Sequence, residues 1–256
     1  MSPRLLDLRA RPDLAAQIPA ISRAAWPPFL LHSDVERWDS LIARFPEFQF
    51  VLCEPGDEAI AVGHTLPVPW DGSSEDLPET INGIIGRANA TRDAGGRPQA
   101  LCALAAMIRP DRRGQGLSIE IIRGMRDLAR RHGLSALLAP VRPAQKTLDP
   151  YAEMEEYALR MRPDGSPVDP WIRVHRRLGA EFRRVIPASV IVEGTIAEWE
   201  AWTGMRFPES GVYAVPGALV PVEIDVVRDV GRYEDPNFWM VHTIDGAAKP
   251  PDRGPR

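Results

Sequence analysis

The sequence has few lysines and few cysteines. Lys146 and Lys249 are its only lysines, so arginine carries almost all of the positive charge. The two cysteines, Cys53 and Cys102, lie in apolar, strand-like runs, which argues against a disulfide framework and against a CxxC redox or zinc site. The formal net charge of −4 provides no basic field, which argues against extended nucleic-acid binding.

Long apolar runs are also missing. No stretch approaches the ~18 apolar residues that a membrane span requires, and the N-terminus has no apolar signal core. We therefore expect a cytoplasmic protein without a membrane partner. With 256 residues and 44% hydrophobic content, the chain predicts one globular domain over residues 1–245 and a disordered tail, rich in proline, glycine and charge, over residues 246–256.

The usual signatures of metal-dependent and covalent catalysis cannot be recognised either. The five histidines form no HExxH motif and no pair at i, i+4, and no acidic partner stands at metal-ligand spacing. We therefore predict no metal. Without a Cys–His or Ser–His–Asp arrangement, no covalent enzyme intermediate is expected.

The sequence does contain an apolar strand, a glycine-rich loop and an amphipathic helix in succession. Residues 100–108 form an almost unbroken apolar run, which is typical of a strand covered on both faces. From Leu117 onward apolar residues recur at helical spacing, and Gly133 is the expected stop. Glycines in the loop let backbone amides approach a ligand at the positive end of the helix, so we predict an anion site, most simply for a pyrophosphate.

The spacing within this loop separates the known phosphate-binding motifs. The Gly-Lys-Ser/Thr of a Walker A loop does not occur, and Ile119 stands where a dinucleotide fingerprint needs a third glycine. The loop instead resembles the Arg/Gln-x-x-Gly-x-Gly/Ala signature of the GCN5-related N-acetyltransferases, as Arg113-Gly114-Gln115-Gly116-Leu117-Ser118. Ser118 departs from the usual glycine or alanine but keeps a small side chain.

This resemblance implies an α/β (α+β) fold with a central mixed, mostly antiparallel sheet, flanked by helices, whose two parallel central strands splay apart. It also implies acetyl-CoA as co-substrate, with the pantetheine arm on the first of those strands and the pyrophosphate on the loop. The residues that the resemblance assigns to the coenzyme are Met107, Ile108, Arg109, Arg112, Arg113, Gly114, Gln115, Gly116, Leu117 and Ser118. For the two neighbouring loop arginines, exposure to solvent is the alternative.

Two residues are candidates for catalysis. The family's fourth helix usually ends in Tyr-x-x-Leu-Gly-Phe, and the same frame here begins at His175. The family tyrosine protonates the departing thiolate, and a histidine with a pKa near 6.5 is competent to do so. A histidine satisfied by packing is the alternative. Glu54, at a strand end, is the best candidate for a general base, and a water chain is the alternative.

The acceptor side is expected to be formed by the first two helices. The resemblance places Trp26, Phe29, Leu30 and His32 there, with core packing as the alternative. Three acidic residues, Glu153, Glu155 and Glu156, form either a site for a cationic acceptor or a solvated face. Insertions at 67–97 and 142–169 suggest a covered site, and residues 188–245 are interpreted as a C-terminal elaboration of a larger bacterial-type member.

The predicted function is transfer of an acetyl group from acetyl-CoA to a small-molecule amine by direct attack in a ternary complex. One alternative is an acyl-CoA-binding scaffold without transfer activity. Another is an acyltransferase that uses a longer acyl-CoA or a carrier-protein donor. For the oligomeric state, only the base rate of symmetric homodimers among soluble proteins is informative.

Several further elements are predicted from local patterns. Residues 48–54 and 59–68 indicate a hairpin, and residues 34–45 and 78–90 indicate helices. Near the C-terminus, residues 219–227 are predicted as a strand of the final sheet hairpin and residues 235–242 as an added edge strand.

Overall fold

The computed structural model describes residues 3–35, 38 and 40–244, so the predicted tail lies outside the described residues. The strands are β1 Arg4–Asp7, β2 Gln49–Cys53, β3 Ala59–Val68, β4 Ala100–Ile108, β5 Ala136–Val141, β6 Glu181–Gly194, β7 Gly211–Tyr213, β8 Val222–Asp225 and β9 Val230–Thr243. The α-helices are α1 Ile18–Ala25, α2 Ser40–Arg44, α3 Ile81–Asp93, α4 Leu117–Arg131, α5 Met154–Leu159, α6 Pro170–Arg177 and α7 Ile196–Thr203.

The strands form a nine-stranded mixed sheet. Its order is β1-β2-β3-β4-β5-β9-β8-β7, and β6 pairs with β9. Among the described residues β4 and β5 form the one parallel pair, and the other pairings are antiparallel. The predicted mostly antiparallel sheet with parallel central strands is therefore confirmed, as is the hairpin of β2 and β3.

The two faces of the central strands are covered by different helices. The buried residues Leu14, Ile18 and Ile21, in and just before α1, pack with Val62 of β3 and Ala105 of β4. On the opposite face α4 buries Leu117, Ile121, Met125 and Leu128, which recur at the spacing of one helix face. Because β4 is covered on both sides, its sequence alternates little in polarity.

The C-terminal strand β9 is central, which differs from the predicted edge. It pairs with β5 from Phe238 to Thr243, with β8 from Val230 to Arg232, and with β6 along its other side. Its apolar run Phe238–Val241 is buried, as a strand covered on both faces requires. The region interpreted as an elaboration thus supplies the neighbour of β5.

Two predicted helices also differ from the observed ones. The helix predicted at 34–45 is observed as the short α2, with residues 36, 37 and 39 outside the described part. Asp34 does not cap it, because the Asp34 backbone and side chain both pair with Ile191 of β6. In the 67–97 insertion α3 begins after Thr80, whose hydroxyl accepts from the Gly83 amide, a better N-cap than the predicted start.

Candidate functional site

The parallel strands β4 and β5 pair over only three residues and then separate. Their last matched pair is Cys102 with Leu138, beyond which β4 continues to pair with β3 alone. The separation opens a cleft of about 680 Å³, called here the central cleft, between Ala103–Ile108 of β4 and Ala139–Val141 of β5. The predicted splay of the central strands is therefore confirmed.

The glycine-rich loop closes one end of the central cleft. Gly114 and Gly116 adopt positive φ angles of 78° and 81°, which favour glycine, and both line the cleft with Leu117 and Ser118. Helix α4 begins directly after Gly116, and no side chain caps its first amides. An uncapped N-terminus of a fifteen-residue helix, open to a cleft, offers free backbone amides and a positive dipole end to an anion, so the prediction of an anion site here is compatible with the geometry.

The charge of the central cleft has the matching sign. Among the described residues no acidic side chain lines the cleft. Five arginines do so, namely Arg112, Arg113, Arg142, Arg173 and Arg177. A cleft lined by one sign of charge concentrates ligands of the opposite sign. The arrangement favours a polyanionic ligand whose phosphates lie at the start of α4.

The other predicted coenzyme residues are partly inside this cleft. Met107 and Ile108 line it, whereas Arg109 and Gln115 do not. The Arg109 amide donates to Ile60 of β3, and its guanidinium pairs with Glu58 and Asp111. These contacts direct Arg109 away from the splayed edge of β4.

The predicted base Glu54 does not line the central cleft. Its carboxylate accepts a 2.9 Å hydrogen bond from Arg112, which does line the cleft. In this position Glu54 orients a cleft arginine, and its role as a base stays a prediction.

Helix α6 carries the predicted acid His175 to the wall of the central cleft. Asp169 caps α6 through Oδ1, which accepts from the amides of Trp171 and Ile172. Its other oxygen, Oδ2, accepts from the Gln145 amide and the Tyr157 hydroxyl. One buried carboxylate thus ties α6 to the 142–169 insertion.

The Asp169→Asn variant separates these two roles. The amide oxygen preserves the helix cap, whereas the amide nitrogen faces the Gln145 backbone N–H, which loses its acceptor, and the Tyr157 hydroxyl, which must turn from donor to acceptor. Leaving a donor unsatisfied costs about 1–3 kcal/mol, so we expect a clear loss of stability in urea denaturation. Asp164→Asn, in an exposed turn of the same insertion, is the control and should change little. Equal stability of the two variants would contradict this interpretation.

The hydrogen bonds of His175 define its protonation state. Burial lowers the pKa of His242 to about 4, so its ring is neutral and carries a single hydrogen. Leu178 O accepts that hydrogen from His242 Nδ1 at 3.4 Å, so His242 Nε2 accepts from His175 Nδ1 at 3.0 Å. Burial, and the adjacent His242 ring, hold the pKa of His175 well below its ordinary value. His175 is therefore neutral near pH 7, with an unpartnered Nε2 lone pair at the cleft wall.

A second cavity of about 570 Å³, the side chamber, adjoins the central cleft. Trp26, Leu104, Pro140 and Arg142 line both cavities. Leu104 is the extra residue of a β-bulge, because His64 pairs with Ala105 and Thr65 with Ala103. The remaining walls are mostly apolar and come from α1, from neighbouring strands, and from the segment after α1, where the lining residues are Leu30, Leu31, Ser33, Val35, Trp38 and Ile42.

Two of the four predicted acceptor residues line the side chamber. Trp26 and Leu30 do so, and the Trp26 indole donates to Met107 Sδ. Phe29 is instead buried in a cluster with Trp199 and Tyr233, and His32 stacks on Trp202.

None of the three glutamates predicted for a cationic acceptor lines either cavity. They are Glu153, Glu155 and Glu156, and the last of them pairs with Arg160 on the surface. In this position the glutamates form a solvated face.

The polar residues of the side chamber were not predicted from the sequence. They include His64, Arg142, Asp235 and Asn237, with Asp235 accepting from Arg142 Nε at 2.9 Å. Burial by itself lowers the pKa of Arg142, but the Asp235 carboxylate and the Tyr233 hydroxyl outweigh it and raise that pKa. A lone histidine within the apolar run of β3 was the one available signal.

Metal ligands and membrane spans were also sought in the structure. Within residues 3–35, 38 and 40–244, no three His, Cys, Asp or Glu side chains come together as metal ligands. None of the described helices combines the length and apolar character needed to cross a bilayer.

Comparison with known proteins gives one similar curated sequence and several similar folds. An arginine N-acetyltransferase from Aspergillus versicolor is 31% identical over 252 residues, covering 86% of this chain and 85% of the relative. The loading GNATL domain of CurA from Lyngbya majuscula has a TM-score of 0.62 at 17% identity, covering 95% of this chain and 98% of that one. The GphF GNAT-like decarboxylase, in complex with isobutyryl-CoA, has a TM-score of 0.60 at 16% identity, covering 94% and 99%. No family model matches the chain.

Proposed function

This chain belongs to the GCN5-related N-acetyltransferase superfamily, and from that premise we propose that it transfers an acetyl group from acetyl-CoA to the amine of a small molecule. The observation that carries the proposal is the central cleft. It lies between splayed parallel strands, is lined by five arginines, and ends at the uncapped start of α4.

The residues of the central cleft fit the coenzyme by their chemistry. The amides of residues 114–118 and the guanidinium of Arg113 would hold the pyrophosphate. The backbone of Met107 and Ile108, on the edge of β4 that faces β5, would hold the pantetheine arm. When bound, acetyl-CoA supplies an activated thioester carbonyl, and the protein positions the amine for direct attack.

The side chamber is the proposed acceptor site. It meets the central cleft at Leu104 and Pro140, so an acceptor there approaches the acyl group from the face opposite α4. Arg23 and Arg142 line it, and its one described carboxylate, Asp235, is already paired with Arg142. This balance favours an acceptor that carries a carboxylate, such as an amino acid, and the relative's name makes L-arginine the first to test.

Calorimetric titration of acetyl-CoA into the full chain tests the coenzyme assignment, and thiol release with L-arginine and other amino acids tests transfer. We expect micromolar binding and amine-dependent turnover. Binding without turnover by any amine would support the alternative of a coenzyme-binding scaffold. No binding by the folded protein would overturn the proposal.

His175 is the proposed proton donor to the leaving sulfur. Because Nε2 carries no proton in the resting state, the negative charge that develops on the sulfur would raise the pKa of the ring, and Nε2 would take up a proton from solvent and pass it to the sulfur. We expect His175→Ala to lower kcat by about 100-fold, within the usual range for acid–base catalysis, with little change in acetyl-CoA affinity. The exposed His132→Ala is the control. An unchanged kcat would assign the proton to solvent instead.

A further inference from the structure

His64 combines burial, a cavity wall and a nitrogen without a partner. Its side chain is 1% exposed, in the middle of β3, and it lines the side chamber. Its Nε2 is buried and makes no hydrogen bond. An unpartnered polar atom at a cavity wall is costly unless a ligand satisfies it.

The hydrogen bonds of Gln49 determine which nitrogen of His64 carries the proton. Gln49 Nε2 donates to the carbonyl oxygens of Phe45 and Thr65, at 3.1 and 2.8 Å. Carbonyl oxygens only accept, so the orientation of the Gln49 amide is determined. Its Oε1 must then accept from His64 Nδ1, 2.8 Å away, which leaves the lone pair on Nε2.

His64 lies close to the cleft in which the acyl group is proposed to bind. Ala105 is the partner of His64 across the β3–β4 pairing, and it lines the central cleft. Adjacent strands lie about 4.8 Å apart, so His64 is one strand away from the cleft. The rings of His64 and Trp38 form a T-shaped pair with centroids 5.3 Å apart, and Trp38 also lines the side chamber.

We propose that His64 Nε2, in place of Glu54, is the general base that accepts the proton of the acceptor amine. This inference rests on the proposed acetyl transfer. As the C–N bond forms, the nitrogen becomes cationic and its proton passes to Nε2. The C–S bond then breaks and the sulfur takes up one proton from solvent by way of His175, so the products are the amide and free coenzyme A, and His64 returns its proton to solvent.

The protonation state of the resting enzyme is compatible with this role. Burial lowers the pKa of His64 to about 4, so Nε2 is unprotonated at pH values above 5 and is available before the acceptor binds. The charged groups that line the same chamber are Arg23, Arg142 and Asp235. The negative charge that develops on the acyl oxygen raises the pKa of His64 during attack and favours proton transfer to it.

His64→Asn is the main test, because Asn Nδ2 replaces His Nδ1 as donor to Gln49 while the Nε2 atom is removed. We expect kcat for L-arginine to fall by about 10²–10⁴-fold with unchanged acetyl-CoA affinity. Imidazole should partly restore the activity of His64→Ala, whereas pyrazole, which has a similar shape and is a much weaker base, should not. A merely structural role predicts equal rescue by both compounds.

The protonation of His64 can be measured without an acceptor, and this measurement tests the inference independently of the proposed function. In ¹⁵N-histidine NMR of the wild type, His64 should show a hydrogen on Nδ1 and an unprotonated Nε2 from pH 5.5 to 8 (~1.5 units above the pKa at the lower end). A hydrogen on Nε2, or full activity of His64→Asn, would overturn the inference alone. A wild type that does not bind acetyl-CoA would overturn the proposed function instead.

Discussion

The Gly116→Trp variant is expected to bind acetyl-CoA at least about 100-fold more weakly than the wild type, which corresponds to roughly 2.7 kcal/mol. A Cβ built on Gly116 meets no atom within 4 Å, so the indole enters open space rather than the protein core. That space lies at the uncapped start of α4, where the pyrophosphate is proposed to bind. The positive φ of 81° adds local strain of about 1–2 kcal/mol.

The opposite end of the same helix offers a matched control. Gly133 also has a positive φ, 68°, and open space around a built Cβ, but it does not line the central cleft. Gly133→Trp therefore carries similar strain and bulk without blocking the loop. Calorimetry of both variants, with thermal denaturation in parallel, makes the comparison. Equal acetyl-CoA affinity of the two variants would contradict the placement of the pyrophosphate on the loop.

The Asp235→Asn variant is expected to lose about 3–5 kcal/mol of unfolding free energy, the usual cost of breaking a buried ion pair. The side chain of Asp235 is 3% exposed and that of its partner Arg142 is 17% exposed. Asp235 also accepts from the Tyr233 hydroxyl at 2.5 Å. The asparagine leaves the Arg142 guanidinium buried without a counter-charge, where both cavities meet.

Glu234→Gln, one residue earlier in β9, is the control for charge loss in the same strand. Glu234 is half-exposed and pairs with Arg232 at the surface, where an ion pair contributes little. Urea denaturation of both variants should separate them clearly. Similar midpoints would show that the Arg142–Asp235 pair is not the buried ion pair that its geometry indicates.

Local patterns in the sequence account for the central strands, the helices that flank them and the glycine-rich loop. The spacing of apolar residues in α4 indicates that one face of the helix is buried. The continuous apolar run of β4 indicates that both faces of the strand are buried. Two glycines followed by a helical pattern identify the loop, because positive φ angles and an open helix start are local properties. These features are encoded within about 30 consecutive residues, so they are readable without a structure.

The partners of the site residues were decided by the tertiary structure. His175 and His242 are 67 positions apart, and Arg142 and Asp235 are 93 apart, yet each pair is within hydrogen-bond distance. A change of protonation state or pKa depends on such contacts and on burial, which periodicity does not report.

The sequence by itself determined the fold class, the family resemblance and the position of the glycine-rich loop, because each depends on local spacing. Tertiary structure alone decided that β9 lies beside β5, that Glu54 faces Arg112 rather than the cleft, and that His64 lines a second cavity and has a buried Nε2 without a hydrogen bond. The physical reason is that strand order and side-chain partners depend on contacts between distant segments, whereas helix and turn formation depend on neighbours in the chain.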